Sequence, residues 1–111
     1  MSLTHTPSAN LDFTFAALAH AKRRDIIATL AFRPATVSQL AEEYAISLPA
    51  IHKHIRTLEE AQLIQRKKVG RTNFVAINRD GLRLAQTWIM QYRADWGSNQ
   101  ETLENYILAN K

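Results

Sequence analysis

The sequence predicts a mainly α-helical fold with one small β-hairpin, formed by a single domain over residues 10–111. Two observations predict this fold. Apolar residues recur at helical spacing through most of the chain, whereas residues 64–77 break that spacing and form two short segments around Gly70. The chain has 111 residues, 46% of them hydrophobic, which suits one globular domain.

The N-terminal part predicts a tail followed by a helix. Residues 1–9 are polar and contain Pro7, so we expect a flexible tail there. From Asn10, a candidate N-cap, apolar residues recur at helical spacing and predict a first helix over residues 10–19.

A second helix is predicted over residues 21–32, where an Arg-Pro pair ends it. Lys22, Arg23 and Arg24 occupy its first turn, where positive charge opposes the helix dipole. Two explanations stay open: these cations are solvated or paired locally, or they bind an acidic partner.

The next two predicted helices are separated by a very short connection. Thr36 and Gln39 have the spacing of a capping box and start a short helix. After Ala45–Ile46, Ser47 suits the N-cap of a longer helix, and Pro49 falls in its first turn. This order is the helix-turn-helix arrangement.

The longer helix has two different faces. One face is apolar and can pack, and it carries Ile51, Ile55 and Leu58. Lys53 and Arg56 lie on the opposite face, with His52 on one flank. His52 either stays neutral and forms hydrogen bonds or protonates against phosphate. His54 borders the apolar face, which favours a structural role over a contact to bases.

The positive charge of the chain is concentrated in one segment. Residues 47–73 contain six Lys and Arg against two Glu, which equals the whole formal net charge of +4, and the flanking segments balance. Such a patch favours a polyanionic partner, with a solvated face as the alternative.

A basic hairpin follows the longer helix. Ile64–Val69 and Thr72–Ile77 predict two strands joined by a glycine turn. Its cations gather towards the tip, and they are Arg66, Lys67, Lys68 and Arg71. A hairpin in this position makes the winged form of the helix-turn-helix, so the predicted fold class is a winged helix-turn-helix.

The C-terminal third carries a wide apolar stripe, which predicts helix over residues 79–109. We expect a break in this helix, after which Ser98 caps the last segment. This stripe forms either intramolecular core or a homodimer interface, and we favour an interface between helices 10–19 and 79–109. Its candidate residues are Leu11, Phe15, Leu82, Ala85, Trp88, Ile89, Tyr92, Trp96, Leu103 and Tyr106.

Several function classes are disfavoured. The chain contains no cysteine, and its four histidines do not share a metal-ligand spacing. We see no catalytic triad spacing, paired carboxylates or phosphate-binding loop, so we expect no enzyme, cofactor or metal. No apolar run reaches the length of a membrane span and no signal peptide pattern is present, so we expect a cytoplasmic protein.

Three segments resemble the ArsR-type winged helix-turn-helix transcriptional regulators: FAALAHAKRRDIIATL, PATVSQLAEEYAISLPAIHKHIRTLEEAQLI and QRKKVGRTNFVAI. The resemblance covers residues 11–96. It implies a dimeric repressor that places its fourth helix in the major groove, contacts flanking backbone with its wing and dimerises through its first and last helices. Family members usually have a small hydroxyl residue where this chain has His52.

The resemblance also implies a set of DNA-contacting residues. Ser38 and Gln39 would meet phosphate, and the fourth helix would contribute Ser47, Leu48, Pro49, Ala50, His52, Lys53 and Arg56. The wing cations and helix N-termini would bind the DNA backbone. The cysteine and carboxylate–histidine metal motifs of the best-known members are missing from this sequence, which places it in a metal-independent branch.

The predicted function is therefore that of a homodimeric repressor bound to a pseudo-palindromic operator in double-stranded DNA. Two alternatives remain: a winged-helix module that binds another protein, and a ligand-responsive activator. An inducer, either a small molecule or a protein, would have to act outside the DNA-binding face.

Overall fold

The computed structural model describes the backbone of residues 7–98 and 102–111, and the side chains of residues 10–92 and 102–111. The elements follow one another as α1 (Pro7–Leu18), α2 (Ala21–Leu30), β1 (Ala35–Thr36), α3 (Val37–Glu43), α4 (Leu48–Glu60), β2 (Ile64–Val69), β3 (Thr72–Ile77), α5 (Arg79–Ser98) and α6 (Leu103–Ala109). This arrangement is a winged helix-turn-helix, which confirms the predicted fold class.

The helix α1 begins earlier than the sequence predicted. Residues 7–9 are helical, although they were assigned to the tail, and Asn10 lies inside the helix. Pro7 is compatible with this start because a proline in the first turn removes an N–H that has no helical partner. The rest of the predicted tail, residues 1–6, lies outside the described residues.

Local capping fixes both helices of the helix-turn-helix. The Thr36 hydroxyl accepts from the Gln39 N–H at 3.1 Å, and the Gln39 side-chain carbonyl accepts from the Thr36 N–H at 2.9 Å. This confirms the predicted capping box. The Ser47 hydroxyl accepts from the Ala50 N–H at 3.3 Å, so Ser47 is the N-cap of α4, and Pro49 lies in its first turn.

The turn between α3 and α4 contains a residue with positive φ. Ala45 has φ of 54°, and its N–H donates to the Glu42 carbonyl while that of Ile46 donates to the Ala41 carbonyl. These two bonds form a Schellman motif that ends α3. The end of α4 repeats it, with Gln62 at φ 63°.

The wing is a three-stranded antiparallel sheet with the order β1-β3-β2. The hairpin has the predicted limits, and its register runs from Ile64 opposite Ile77 to Val69 opposite Thr72. The third strand, β1, was not predicted, because it is only two residues long and lies directly before a helix. It pairs with the middle of β3 and so ties the wing to the start of α3.

The apolar face of α4 lies at the centre of the core. Ile51, Ile55 and Leu58 are fully buried, and they share the core cluster with Ile26, Leu30, Leu40, Leu63 and Val75. Burying such side chains contributes about 1.5–3 kcal/mol each. Because this face is fixed from behind, α4 presents its cationic face to solvent.

The C-terminal break lies later than predicted. Ser98 is the last residue of α5, and the N-cap of α6 is Thr102, whose hydroxyl accepts from the Asn105 N–H at 3.1 Å. The helix α6 buries none of its residues within the chain.

Candidate nucleic-acid interface

Three elements meet at one concave surface. The start of α3, the start of α4 and the tip of the wing surround a depression of about 360 Å³. It is lined by Thr36, Val37, Ser38, Leu48, His52, Arg71, Thr72 and Asn73. The structure therefore brings together four residues that the sequence predicted as DNA contacts: Ser38, Leu48, His52 and Arg71.

The solvent-facing side of α4 is available for contact. Leu48 is 50% exposed despite being apolar, and Pro49, Lys53 and Arg56 are exposed. Ala50 and His52 are half-buried. In the part of the chain that the structure describes, neither Lys53 nor Arg56 forms an ion pair. Their charges are thus open to an external anion.

The polar residues at the two helix starts differ in availability. Ser38 is exposed. Gln39 uses its side-chain carbonyl in the capping box, so only its amide group is left to donate. The hydroxyl of Ser47 is likewise engaged as the N-cap of α4. These two side chains therefore fix the first turns of α3 and α4 through contacts within the chain.

The wing cations do not form one cluster. Side chains alternate along a strand, so Lys67 lies on the face opposite to that of Arg66 and Lys68. Arg66 donates to a carboxylate oxygen of Glu59 on α4 at 3.0 Å. Lys67, Lys68 and Arg71 are exposed. Among the described residues, Lys68 and Arg71 form no ion pair near the tip, whereas Arg66 is paired with Glu59.

Sequence reasoning missed two lining residues on β3. Thr72 and Asn73 lie beside the depression with Arg71. Asn73 is opposite Lys68 in the hairpin register, so extending the predicted two-residue turn into a register would have identified it. Both residues carry hydrogen-bonding groups suited to a phosphate or a base edge.

The three cations at the start of α2 are paired locally. Arg23 donates to the Ala17 carbonyl at 2.7 Å, and Arg24 donates to the Leu18 carbonyl at 2.7 Å. Lys22 places its ammonium 5.4 Å from the centre of the Tyr44 ring. Although these cations oppose the dipole of α2, two of them satisfy the terminal carbonyls of α1.

His54 lies on the side of α4 that faces the α1–α2 turn. The His54 and His20 ring centres are 4.7 Å apart, and the Arg23 guanidinium is 3.4 Å from Nδ1 of His54. Burial lowers the pKa of His54 below its usual value of 6.5, and the nearby charges of His20, Arg23, Lys22 and Lys53 lower it further.

A second apolar surface lies on α1 and α5, which pack together, and α6 exposes further apolar side chains. The Phe15 and Trp88 rings meet edge to face at 5.8 Å, and Trp88 lies 4.9 Å from Tyr92. Ile89 is 50% exposed, and Leu103 and Tyr106 on α6 are also exposed. This surface carries aromatic and aliphatic groups in contact with solvent.

Three residues of the predicted dimer interface lie partly or wholly inside the chain. Ala85 is buried, Leu82 packs against the core, and Leu11 is half-buried. For these residues the intramolecular alternative accounts for part or all of the burial. The side chain of Trp96 lies outside the described residues.

The described residues contain no group of three or more His, Asp or Glu that could hold a metal ion. Over the same residues, no helix is long and apolar enough to cross a membrane.

Comparisons with known proteins agree with this geometry. A family model described as a helix-turn-helix domain matches residues 18–66. The chain is 32% identical over 76 residues to the HTH-type transcriptional regulator Rv2034 of Mycobacterium tuberculosis, covering 68% of this chain and 71% of that protein.

Two solved structures share both fold and sequence with this chain. The ArsR family transcriptional regulator RHA00566 matches with a TM-score of 0.77 and 33% identity, over 88% of this chain and 100% of that one. An ArsR-like transcriptional regulator from Rhodococcus sp. RHA1 matches with a TM-score of 0.72 and 29% identity, over 80% of this chain and 82% of that one. These relatives are transcriptional regulators, not enzymes. The chain belongs to the ArsR family of helix-turn-helix transcriptional regulators.

Proposed function

We propose that this protein is a homodimeric repressor that binds a pseudo-palindromic operator in double-stranded DNA. The observation that carries the proposal is the meeting of α3, α4 and the wing tip around one concave surface. Helix-turn-helix regulators bind DNA through this combination of elements. Lys53 and Arg56 are exposed on α4, which contributes Leu48 and His52 to this surface, and their positive charges favour a polyanion.

The helix α4 enters the major groove, which is about 12 Å wide and admits one helix. The first turn of α4 approaches the bases with Leu48, Pro49 and Ala50. Lys53 and Arg56 donate to guanine edges or to phosphates. His52 lines the depression, and its neutral ring offers one donor and one acceptor nitrogen.

The remaining polar residues bind the DNA backbone and fix the position of α4. Ser38 and the amide group of Gln39 contact phosphate at the start of α3, while Ser47 orients the first turn of α4. Lys68 and Arg71 contact phosphate from one side of the wing and Lys67 from the other. Arg66 adds positive charge near the DNA backbone while it stays paired with Glu59, or it exchanges that carboxylate for a phosphate.

The apolar surface of α1 and α5, together with the exposed apolar side chains of α6, forms the homodimer interface. Its exposed Trp and Tyr rings are the residue types that concentrate at protein interfaces. A two-fold dimer places two copies of α4 on successive major grooves, about 34–36 Å apart. Two further points stay predictions: a small molecule or a protein releases the DNA, and this regulation is independent of metal.

Selection of bound sequences from a random duplex pool tests the proposal. We expect enrichment of an inverted repeat, bound by two protomers. The double variant Lys53→Ala/Arg56→Ala then loses specific binding but keeps the dimer. A control that removes two charges elsewhere, Arg33→Ala/Arg83→Ala, keeps the specific site.

The salt dependence supplies a second measurement. If 6–10 phosphates are neutralised, the affinity falls by about 10³–10⁵ between 50 and 200 mM salt. No enriched sequence together with a weak salt slope would favour the alternative, a module that docks another protein on the apolar surface. Operator-dependent loss or gain of reporter expression separates a repressor from an activator.

A further inference from the structure

We propose that Arg23 is a positioning residue for DNA binding. Held by the end of α1, it fixes the orientation of α4 through His54, and it does so only while the His54 ring is neutral. Because the proposal rests on DNA binding by α4, it predicts that acidification weakens operator binding through His54.

The guanidinium of Arg23 is anchored at one side. Its Nε donates to the Ala17 carbonyl at 2.7 Å, and its Nη2 donates to the Ala16 carbonyl at 3.3 Å. These carbonyls lie in the last turn of α1, where carbonyl groups lack helical partners. Two bonds to one planar group fix its direction, so the position of Nη1 is determined by α1.

The remaining contact sets the protonation state of His54. Nη1 of Arg23 lies 3.4 Å from Nδ1 of His54. A guanidinium only donates, so Nδ1 is the acceptor and the proton of the neutral ring is on Nε2. A protonated ring donates from both nitrogens. The contact would then join two donors and two positive charges, and it would no longer attract.

The groups around His54 favour the neutral ring. His20 comes from the α1–α2 turn, and its own Nδ1 is engaged by the Lys22 N–H at 3.1 Å. Lys22 and Arg23 come from α2, and Lys53 lies on α4 itself. Burial and these groups together lower the pKa of His54. The neutral link therefore persists at pH 7 and above.

The expected direction of the pH effect on DNA binding is opposite to the one that simple electrostatics predicts. Adding a positive charge to α4 would normally strengthen its attraction to DNA. Protonation of His54 instead removes a link between α1 and α4. Acidification that acts through His54 is therefore expected to weaken binding.

The test measures the dissociation constant of the full-length protein for a selected operator duplex. Fluorescence anisotropy is recorded at constant ionic strength between pH 8.0 and 5.0, over the range in which circular dichroism shows an unchanged fold. Because burial and the nearby positive charges lower the pKa of His54, we expect the wild type to weaken mainly below pH 6, by about threefold or more at pH 5.0. In H54Q, whose amide oxygen accepts from Arg23 but does not titrate, the ratio between the two pH values falls to within about twofold. H52Q keeps the weakening.

A second variant tests the anchor. In R23K, the three donors lie on one nitrogen and cannot span the positions that Nε, Nη1 and Nη2 of Arg23 reach, so we expect weaker binding at pH 8.0 and a flattened pH profile. Nitrogen NMR of the imidazole should show the Nε2–H form of His54 in the wild type.

Two outcomes overturn the positioning role alone: a pH profile in H54Q equal to that of the wild type, or an Nδ1–H ring at neutral pH. A wild-type protein that selects no duplex at pH 8.0 overturns the proposed function itself. The two failures are thus distinguishable.

Discussion

Gly81 lies directly against the main-chain carbonyl of Gln62. A Cβ atom built on Gly81 would be 1.8 Å from that oxygen and 2.7 Å from its carbon. Gln62 closes the Schellman motif of α4 with positive φ, and Gly81 lies in the first turn of α5. The close approach therefore joins the end of the proposed recognition helix to the start of α5.

We expect Gly81→Ala to destabilise the fold by roughly 1–3 kcal/mol. Alanine gains about 1 kcal/mol over glycine in a helix, but the clash involves backbone atoms that cannot rotate away, and overpacking of this kind costs more than the gain. Urea denaturation measures the difference in the free energy of unfolding. Thr87→Ala, an exposed position of α5, serves as control and should change stability by only a few tenths of a kcal/mol. A Gly81→Ala protein as stable as the wild type would contradict the close packing.

Ala45→Gly in the turn between α3 and α4 should stabilise the protein by about 0.5–1 kcal/mol. Ala45 is exposed and has φ of 54°, where a Cβ is unfavourable and a glycine is not. Ala31→Gly is the matched control, because Ala31 is also exposed but has φ of −65°. There the same change should destabilise the protein, since glycine only adds entropy to the unfolded chain. Equal changes in the free energy of unfolding at the two positions would show that the positive φ of Ala45 does not cost stability.

The stability of the fold should fall as the pH drops below neutrality, in part through His54. The pKa of His54 is lowered in the folded chain, whereas the unfolded chain keeps the usual value of 6.5. The unfolded state therefore binds a proton first, and stability is lost as the pH falls through 6.5 towards the folded-state pKa. Urea midpoints at pH 7.5 and pH 5.5 should differ more for the wild type than for His54→Gln. An equal difference in both proteins would show that other groups account for it.

Local signals made most of the fold predictable. The capping box of Thr36 and Gln39, the N-cap Ser47 and the glycine turn of the hairpin each depend on residues within a few positions of one another. The start of α1 was placed too late and the strand β1 was missed for the same reason. No apolar pattern marks the first turn of α1, and β1 is too short to have one.

The finer structure of the site depends on long-range contacts. Arg23 and His54 are 31 positions apart, so their contact has no signature in either segment. The ion pair between Arg66 and Glu59 spans only seven positions, but it joins two different elements, the wing and α4, so it depends on how these elements pack. The sequence located the basic segment correctly but could not show which of its charges were already paired.

The exposed apolar side chains of α1 and α5 give the last prediction, which concerns the proposed dimer. Ile89 is half exposed on α5, close in sequence to the Trp88 and Tyr92 rings. Ile89→Glu should leave the monomer folded, because the side chain lies outside the core cluster, but would bury a carboxylate at a dimer interface at a cost of several kcal/mol.

We expect Ile89→Glu to sediment as a monomer where the wild type is a dimer, and to bind the operator more weakly because one protomer holds only one half-site. Gln86→Glu, exposed on the same helix, adds the same charge and should remain dimeric. A dimeric Ile89→Glu protein with unchanged operator affinity would show that the interface does not include this part of α5. Loss of the dimer in both variants would instead point to net charge rather than position.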